Sequence, residues 1–355
     1  MKLKKMFDLN TIIRSNIKAL TPYSSARNEF KGTEGVFLDA NENPFNSPYN
    51  RYPDPLQRNV KEKLAKLKGV NPDQIFLGNG SDEPIDLLIR AFCEPHIHNV
   101  VSISPSYGMY QVAAEINAVE YIKVPLNSDF SLNEDALKKA VTDKTHLIWM
   151  CSPNNPTANS LDTGQMLSLA AWFKGILVVD EAYIDFSSQA SLIKHLPDYP
   201  NLVVLQTFSK AWGMAGLRMG LAYASKEIVD VLNKIKYPYN VNMLTQKLVF
   251  EALDQVQEKD QWVKDLIAQR TGLMELLSNL KIVEKTYPSD ANFILVKVPD
   301  PRKVYNFLVE RKIIIRDRSK VHMCEGCLRF TIGTKSENMA LYNALVEYEN
   351  VSHPN

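Results

Sequence analysis

Short apolar runs alternate with helix-periodic stretches through the middle of the chain. Gln74 to Leu77 reads as a short strand, followed by a helix from Ser81 to about Cys93. Val100 to Ile103 is apolar, Tyr107 to Ile116 helix-like, Tyr121 to Val124 strand-like and Leu132 to Ala140 helical. His146 to Met150 reads as a strand and Met166 to Phe173 as a helix; Ile176 to Val179 and Leu202 to Leu205 are further short apolar runs. Apolar runs separated by helical patterns indicate an α/β fold with a mostly parallel sheet covered on both faces. From Asn242 to about Leu280 the pattern is helical, with an interruption near Gly272, and suits a connector between domains. Beyond it lie strand-like Phe293 to Val296, a helix near Arg302 to Glu310, strand-like Ile313 to Ile315 and Leu328 to Ile332, and a terminal helix from Ser336 to about Tyr348. That succession predicts a smaller α+β unit. The chain shows no internal repeat and no low-complexity tract.

The 355 residues correspond to about two domains. With 45% hydrophobic and 23% charged residues, there is ample material for a large core. Lys+Arg is 41 and Asp+Glu 40, a balance that argues against affinity built on neutralising a nucleic-acid backbone. No stretch has the roughly 20 apolar residues of a membrane helix, and MKLKKMFDLN lacks the apolar core of a signal peptide. A cytoplasmic location is expected. Four cysteines, Cys93, Cys151, Cys324 and Cys327, are too few for a disulfide framework. Of only 14 glycines, Gly78, Gly80, Gly213, Gly216 and Gly220 fall in two short segments, as tight turns or close approach to a ligand require.

Three strand ends carry candidate chemistry. Gly78-Asn79-Gly80-Ser81-Asp82-Glu83 opens a helix, where free N–H groups bind phosphate. Ser81 also suits a plain N-cap, and both readings stand. Asp180 in Val179-Asp180-Glu181-Ala182-Tyr183 follows an apolar strand, where ligands of open α/β sheets bind. A desolvated acid there needs a cation, unless it merely caps a helix. In Thr207-Phe208-Ser209-Lys210, Lys210 could form a Schiff base with a carbonyl cofactor, or be a solvated loop lysine. Arg218 follows, a fixed cation suited to phosphate.

Taken in order with Pro105-Ser106-Tyr107-Gly108 and Pro153-Asn154-Asn155-Pro156-Thr157, these segments resemble the fold-type-I pyridoxal-phosphate enzymes of the aspartate-aminotransferase-like group. Leu38-Asp39-Ala40-Asn41-Glu42-Asn43-Pro44, Tyr52-Pro53-Asp54-Pro55, Ile315-Arg316-Asp317-Arg318 and Cys327-Leu328-Arg329-Phe330-Thr331-Ile332-Gly333 are similar to the histidinol-phosphate aminotransferase family, and the resemblance runs from about Leu20 to the C-terminus. One departure is visible: Ala158 stands where the usual Asn-Pro-Thr-Gly turn has glycine, which tolerates positive φ better.

The resemblance implies a large cofactor-binding domain over 34–250, a small domain over 251–355, and a segment 1–33 packing near the active site. It implies pyridoxal 5′-phosphate on Lys210, which doubles as proton carrier. Asp180 would pair with the pyridinium nitrogen, Tyr183 and Asn155 with the phenolic oxygen, and Tyr107 would stack on the ring. The backbone at Gly80, Ser81 and Asp82, with Thr207, Ser209 and Arg218, would hold the phosphate, joined by Tyr52 from a neighbouring subunit, so a homodimer is expected. Tyr23, Asn41, Arg316 and Arg329 would meet the substrate. The implied reaction moves an amino group from L-histidinol phosphate to 2-oxoglutarate. An aromatic amino-acid aminotransferase, a threonine-phosphate decarboxylase-like lyase and a non-enzymatic binding protein are the rivals. Intact Lys210, Asp180, Tyr183 and Arg218 argue against the last.

Weaker signals point to packing. His322-Met323-Cys324-Glu325-Gly326-Cys327 has no second cysteine pair for zinc, and His96, His98, His146, His195 and His353 show no ligand spacing. Trp212 reads as a packing residue rather than a substrate contact. Lys61-Glu62-Lys63 reads as a solvated helix face.

Overall fold

The computed structural model describes residues 7–23 and 35–352. Residues 24–34, the first six residues and the last three, His353 among them, lie outside the described residues. Much of the expected N-terminal segment 1–33 therefore falls there, as does the expected first residue, 34, of the large domain.

A seven-stranded sheet dominates, in the order β1-β7-β6-β5-β4-β2-β3. Its strands are β1 (Ile75–Asn79), β2 (Asn99–Ser104), β3 (Glu120–Pro125), β4 (Thr145–Cys151), β5 (Ile176–Asp180), β6 (Leu202–Thr207) and β7 (Met219–Tyr223). Strands β2 to β6 run parallel to their neighbours, and β7 lies antiparallel between β1 and β6. Alternate residues feed opposite cores: Ile148, Met150, Leu177 and Val179 join one, and Leu147, Trp149, Ile176 and Val178 the other. Such continuous apolar strands are what a doubly covered parallel sheet needs. Helices Asp82–Phe92, Met109–Ile116 and Lys226–Ile235 cover one face. Helices Arg58–Lys68, Glu134–Ala140, Thr163–Trp172 and Met243–Ala252 cover the other.

A second sheet has the order β10-β11-β9-β8, built from β8 (Lys285–Thr286), β9 (Phe293–Lys297), β10 (Arg316–Asp317) and β11 (Cys327–Thr331). Ile294, Val296, Leu328 and Phe330 face its own core with Leu308, Leu341 and Leu345 of helices Pro301–Glu310 and Lys335–Ser352. On the opposite face, Leu295 and Cys327 pack into the large sheet's core.

Four expectations fail locally. The interruption near Gly272 does not exist. Helix Val256–Ser278 runs through it, and the chain breaks instead between Ala252 and Val256, where Leu253 N bonds to Val249 O at 3.1 Å and Gln255 takes φ −107° and ψ 33°. A single glycine costs a helix only about 1 kcal/mol, which a long packed helix absorbs. Ile313 to Ile315 is not strand; pairing begins at Arg316. The antiparallel β7 went unread, because Met219–Tyr223 is short and follows two glycines. The helix around Lys61 is not wholly solvated either: Lys61 is buried beside Val60, Leu64 and Ala65.

Candidate active site

The last residues of β4, β5 and β6 meet in a cleft of about 160 Å³. Cys151 closes β4, Asp180 closes β5 and Thr207 closes β6, with Cys151 and Asp180 directly paired. This is the carboxyl edge at which open α/β sheets bind ligands.

Asp180 forms the floor. It is buried, and its carboxylate accepts from Tyr110 Oη at 2.7 Å and from Ala182 N at 3.0 Å. Burial raises its carboxyl above the ordinary range, opposed by the Tyr110 hydrogen bond. Among the described residues no cation lies within ion-pair distance of it, so a protonated ring nitrogen in the cleft suits it chemically.

An anion cradle forms one end. Ser81 and Asp82 begin helix Asp82–Phe92, and Ser81 makes no side-chain cap bond, which leaves its hydroxyl to the cleft lining. Thr207, Ser209 and Arg218 line the same end. Two glycines make the cradle possible. A Cβ on Gly220 would fall 2.1 Å from Ser81 N, and one on Gly80 would fall 2.7 Å from Arg218 Nη2. Arg218 holds a left-handed φ of 54°, its carbonyl accepts from Gly80 N at 2.7 Å, and its guanidinium stands 3.5 Å from Asp82. Non-glycine residues keep such a backbone where packing over-determines it.

Lys210 enters from the side, with Nζ 5.6 Å from the Tyr183 ring centre. Burial, then the nearby Arg329, lowers its ammonium pKa, while Asp180 opposes them. A lysine held that way presents more free amine, as a Schiff-base former needs. Tyr183 Oη lies 3.5 Å from Asn155 Nδ2, and burial pushes its phenol upward. Tyr107 lines the cleft and donates to Asp82 Oδ1 at 3.1 Å. A buried carboxylate at one end, hydroxyl and amide donors between, and a phosphate-sized cradle at the other fit pyridoxal phosphate.

Arg329 reaches the cleft through Asn155, donating from Nη1 to Oδ1 at 2.6 Å, and Arg316 sits directly opposite it across β10 and β11. Gly80, Arg316 and Arg329 are not themselves lining residues, and three further expected residues also stand apart from the lining. Tyr23 is 70% exposed, Asn41 is exposed with φ 55°, and Tyr52 stacks on Tyr239 at 4.5 Å. Ala158 keeps the turn with φ 68°, fully buried. Trp212 packs on Phe208 at 5.1 Å.

Reading the sequence overlooked Tyr110 and Arg318. Tyr110 had a usable signal, since it follows Tyr107 by one helical turn. Arg318 had only its place beside Arg316.

Residues 29–345 match the family described as aminotransferase class I and II. A relative from Cytophaga hutchinsonii named histidinol-phosphate aminotransferase is 56% identical over 346 residues, covering 96% of this chain and 99% of its own. The structure of histidinol-phosphate aminotransferase from Sinorhizobium meliloti in complex with pyridoxal-5′-phosphate superimposes with a TM-score of 0.79 at 22% identity, over 85% of this chain and 84% of that one. L-threonine-O-3-phosphate decarboxylase from Porphyromonas gingivalis superimposes with a TM-score of 0.74 at 22% identity, over 84% and 91%. At such identities the two structures speak for the fold alone.

Proposed function

The chain belongs to the class I and II aminotransferase family, and we propose that it interconverts L-histidinol phosphate and 2-oxoglutarate with imidazole acetol phosphate and L-glutamate, a step of histidine biosynthesis. The cofactor is pyridoxal 5′-phosphate. The observation that carries the substrate is Arg316 directly facing Arg329 beside the cleft, with Arg329 bonded to Asn155 at 2.6 Å. Guanidinium forks suit both a phosphate ester and the carboxylate of glutamate, so one subsite serves both half-reactions.

Bound pyridoxal phosphate supplies an electron sink for bond breaking at the amino-bearing carbon. Asp180 would hold a proton on the ring nitrogen through its buried negative charge. Lys210 would anchor the cofactor covalently, and its Nζ, when free, would carry the proton from the substrate's amino-bearing carbon. Asn155 and Tyr183 would donate to the ring's phenolic oxygen, and Tyr107 would cover one ring face. The backbone at Gly80, Ser81 and Asp82, with Thr207, Ser209 and Arg218, would fix the phosphate. Tyr23 would close over the substrate, and Asn41 would contact it. Residues 34–250 act as the cofactor-holding domain and 251–355 as the domain carrying the arginines.

The working unit is a homodimer. Leu38, Phe45 and Tyr49 are exposed apolar side chains on the segment that carries Tyr52, and a second copy covers them. Tyr52 then reaches the cofactor phosphate of the partner. With small soluble substrates, the enzyme works in the cytoplasm.

The test compares histidinol phosphate, histidinol and phenylalanine as donors to 2-oxoglutarate. Histidinol phosphate should lead histidinol by about 30- to 1000-fold in kcat/KM, the loss of charge-assisted contacts worth roughly 2–4 kcal/mol. Phenylalanine matching it would overturn the substrate, and release of carbon dioxide from threonine phosphate without amino transfer would mark a lyase.

A further inference from the structure

The face of the small sheet turned toward the cleft carries a third arginine. Arg316 and Arg329 are direct partners across β10 and β11, and Arg318, two residues on, donates its N–H to Cys327 O at 3.0 Å. Strand alternation puts 316, 318 and 329 on one face and sends Asp317 to the other, where it bonds Ser319 and approaches Arg302. Among the described residues, no carboxylate lies within 4 Å of any of the three guanidinium groups. Nε of Arg318 and Nε of Arg329 are both buried with no acceptor, and Arg329 uses only Nη1, on Asn155. Burial, then Arg329 and Arg316, pushes the Arg318 pKa down to about 10, so it remains a cation at neutral pH. Three crowded positive charges with idle buried donors are costly unless an anion joins them.

We propose that Arg318 is a specificity-determining residue: with Arg316 and Arg329 it completes an anion subsite that favours a phosphate monoester dianion over a carboxylate. This rests on the reading that Arg316 and Arg329 take the substrate's anionic group. A carboxylate has one charge and two oxygens, which a single guanidinium fork satisfies. A phosphate monoester is largely dianionic at pH 7, with three terminal oxygens, and so draws on further cations and donors.

The experiment uses the holoenzyme, in which the cofactor occupies the other phosphate cradle. Inorganic phosphate and acetate are measured as competitive inhibitors of the wild type and of Arg318→Gln, Arg318→Met and Arg318→Lys. The neutral variants should weaken phosphate about tenfold or more and acetate less than about threefold, while Arg318→Lys stays within about threefold of wild type for both. Melting without phosphate should hold or rise in the neutral variants, because repulsion is relieved, and the gain on adding phosphate should shrink. Equal losses for phosphate and acetate, or unchanged phosphate inhibition, would overturn the proposal, as would melting that falls with anion preference intact. If Arg318→Gln does not fold, Arg318→Met decides. A wild type that prefers phenylalanine over histidinol phosphate would sink the substrate reading and leave this inhibitor comparison standing.

Discussion

Tyr110 donates a 2.7 Å hydrogen bond to Asp180 Oδ2 from beneath the cleft floor, and its ring stacks on Trp149 with centroids 5.0 Å apart. Both partners are buried, so the bond favours the ionised carboxylate against the burial that disfavours it.

Tyr110→Phe should therefore raise the Asp180 carboxyl further, because the opposing contribution is gone. The acid limb of the kcat/KM profile should move to higher pH, and stability should fall by about 1.5–3 kcal/mol, the worth of a hydrogen bond to a charged group. Titrating the variant's activity against pH checks the direction. An unmoved limb would mean that Tyr110 serves packing alone.

Lys210→Ala should abolish amino transfer while the cradle still retains the cofactor non-covalently. Borohydride reduction of the wild type followed by peptide mapping should place the cofactor adduct on Lys210. An adduct on another lysine would end the assignment.

Tyr52 should act across a dimer interface. Mixing Tyr52→Phe chains with Lys210→Ala chains creates hybrids in which one site carries both defects and the other neither. Partial recovery of activity after subunit exchange is the expected outcome. No recovery after proven exchange would return Tyr52 to its own subunit.

Lys61 sets a pH dependence of stability. Burial, then Lys236, lowers its pKa to about 8 in the folded chain. Between about pH 8 and the unfolded value near 10.5, the unfolded state binds the extra proton, so stability rises with pH across that window. Below pH 8 both states are protonated and the full burial cost remains, up to about 3 kcal/mol. Lys61→Met should raise the denaturation midpoint at pH 7 and flatten the slope above pH 8. Urea titrations at pH 7, 8.5 and 10 read both effects.

Ala158 tests a turn. An L-residue in the left-handed region costs about 1–2 kcal/mol. Removing its buried methyl loses about 0.8 kcal/mol, and the greater freedom of glycine when unfolded costs about 0.4–1 more. The opposing effects nearly cancel, so Ala158→Gly should change stability by less than about 1 kcal/mol. Ala158→Val, branched and enclosed by Tyr183, Phe186 and Phe293, should lose more than about 2 kcal/mol. Thermal melts of the two variants separate these outcomes.

Local patterning by itself determined the alternation of apolar runs and helices, and with it the parallel strands β2 to β6. It also singled out Asp180, Thr207 and Lys210, because a polar residue at the end of an apolar run is visible without knowing what lies beside it. The family resemblance added the cofactor and the substrate class. Only the tertiary structure decided what distant segments do to one another. It put β7 antiparallel between β1 and β6, a pairing that no local period encodes. It brought Arg329 to Asn155, 174 residues away in sequence, and Tyr110 beneath Asp180, 70 residues away. It buried Lys61, whose helical spacing reads the same whether its face meets water or another helix. Periodicity reports which residues share a face; which neighbour covers that face is settled by long-range packing, and the charge state of Asp180, Lys210 and Lys61 follows from that neighbour.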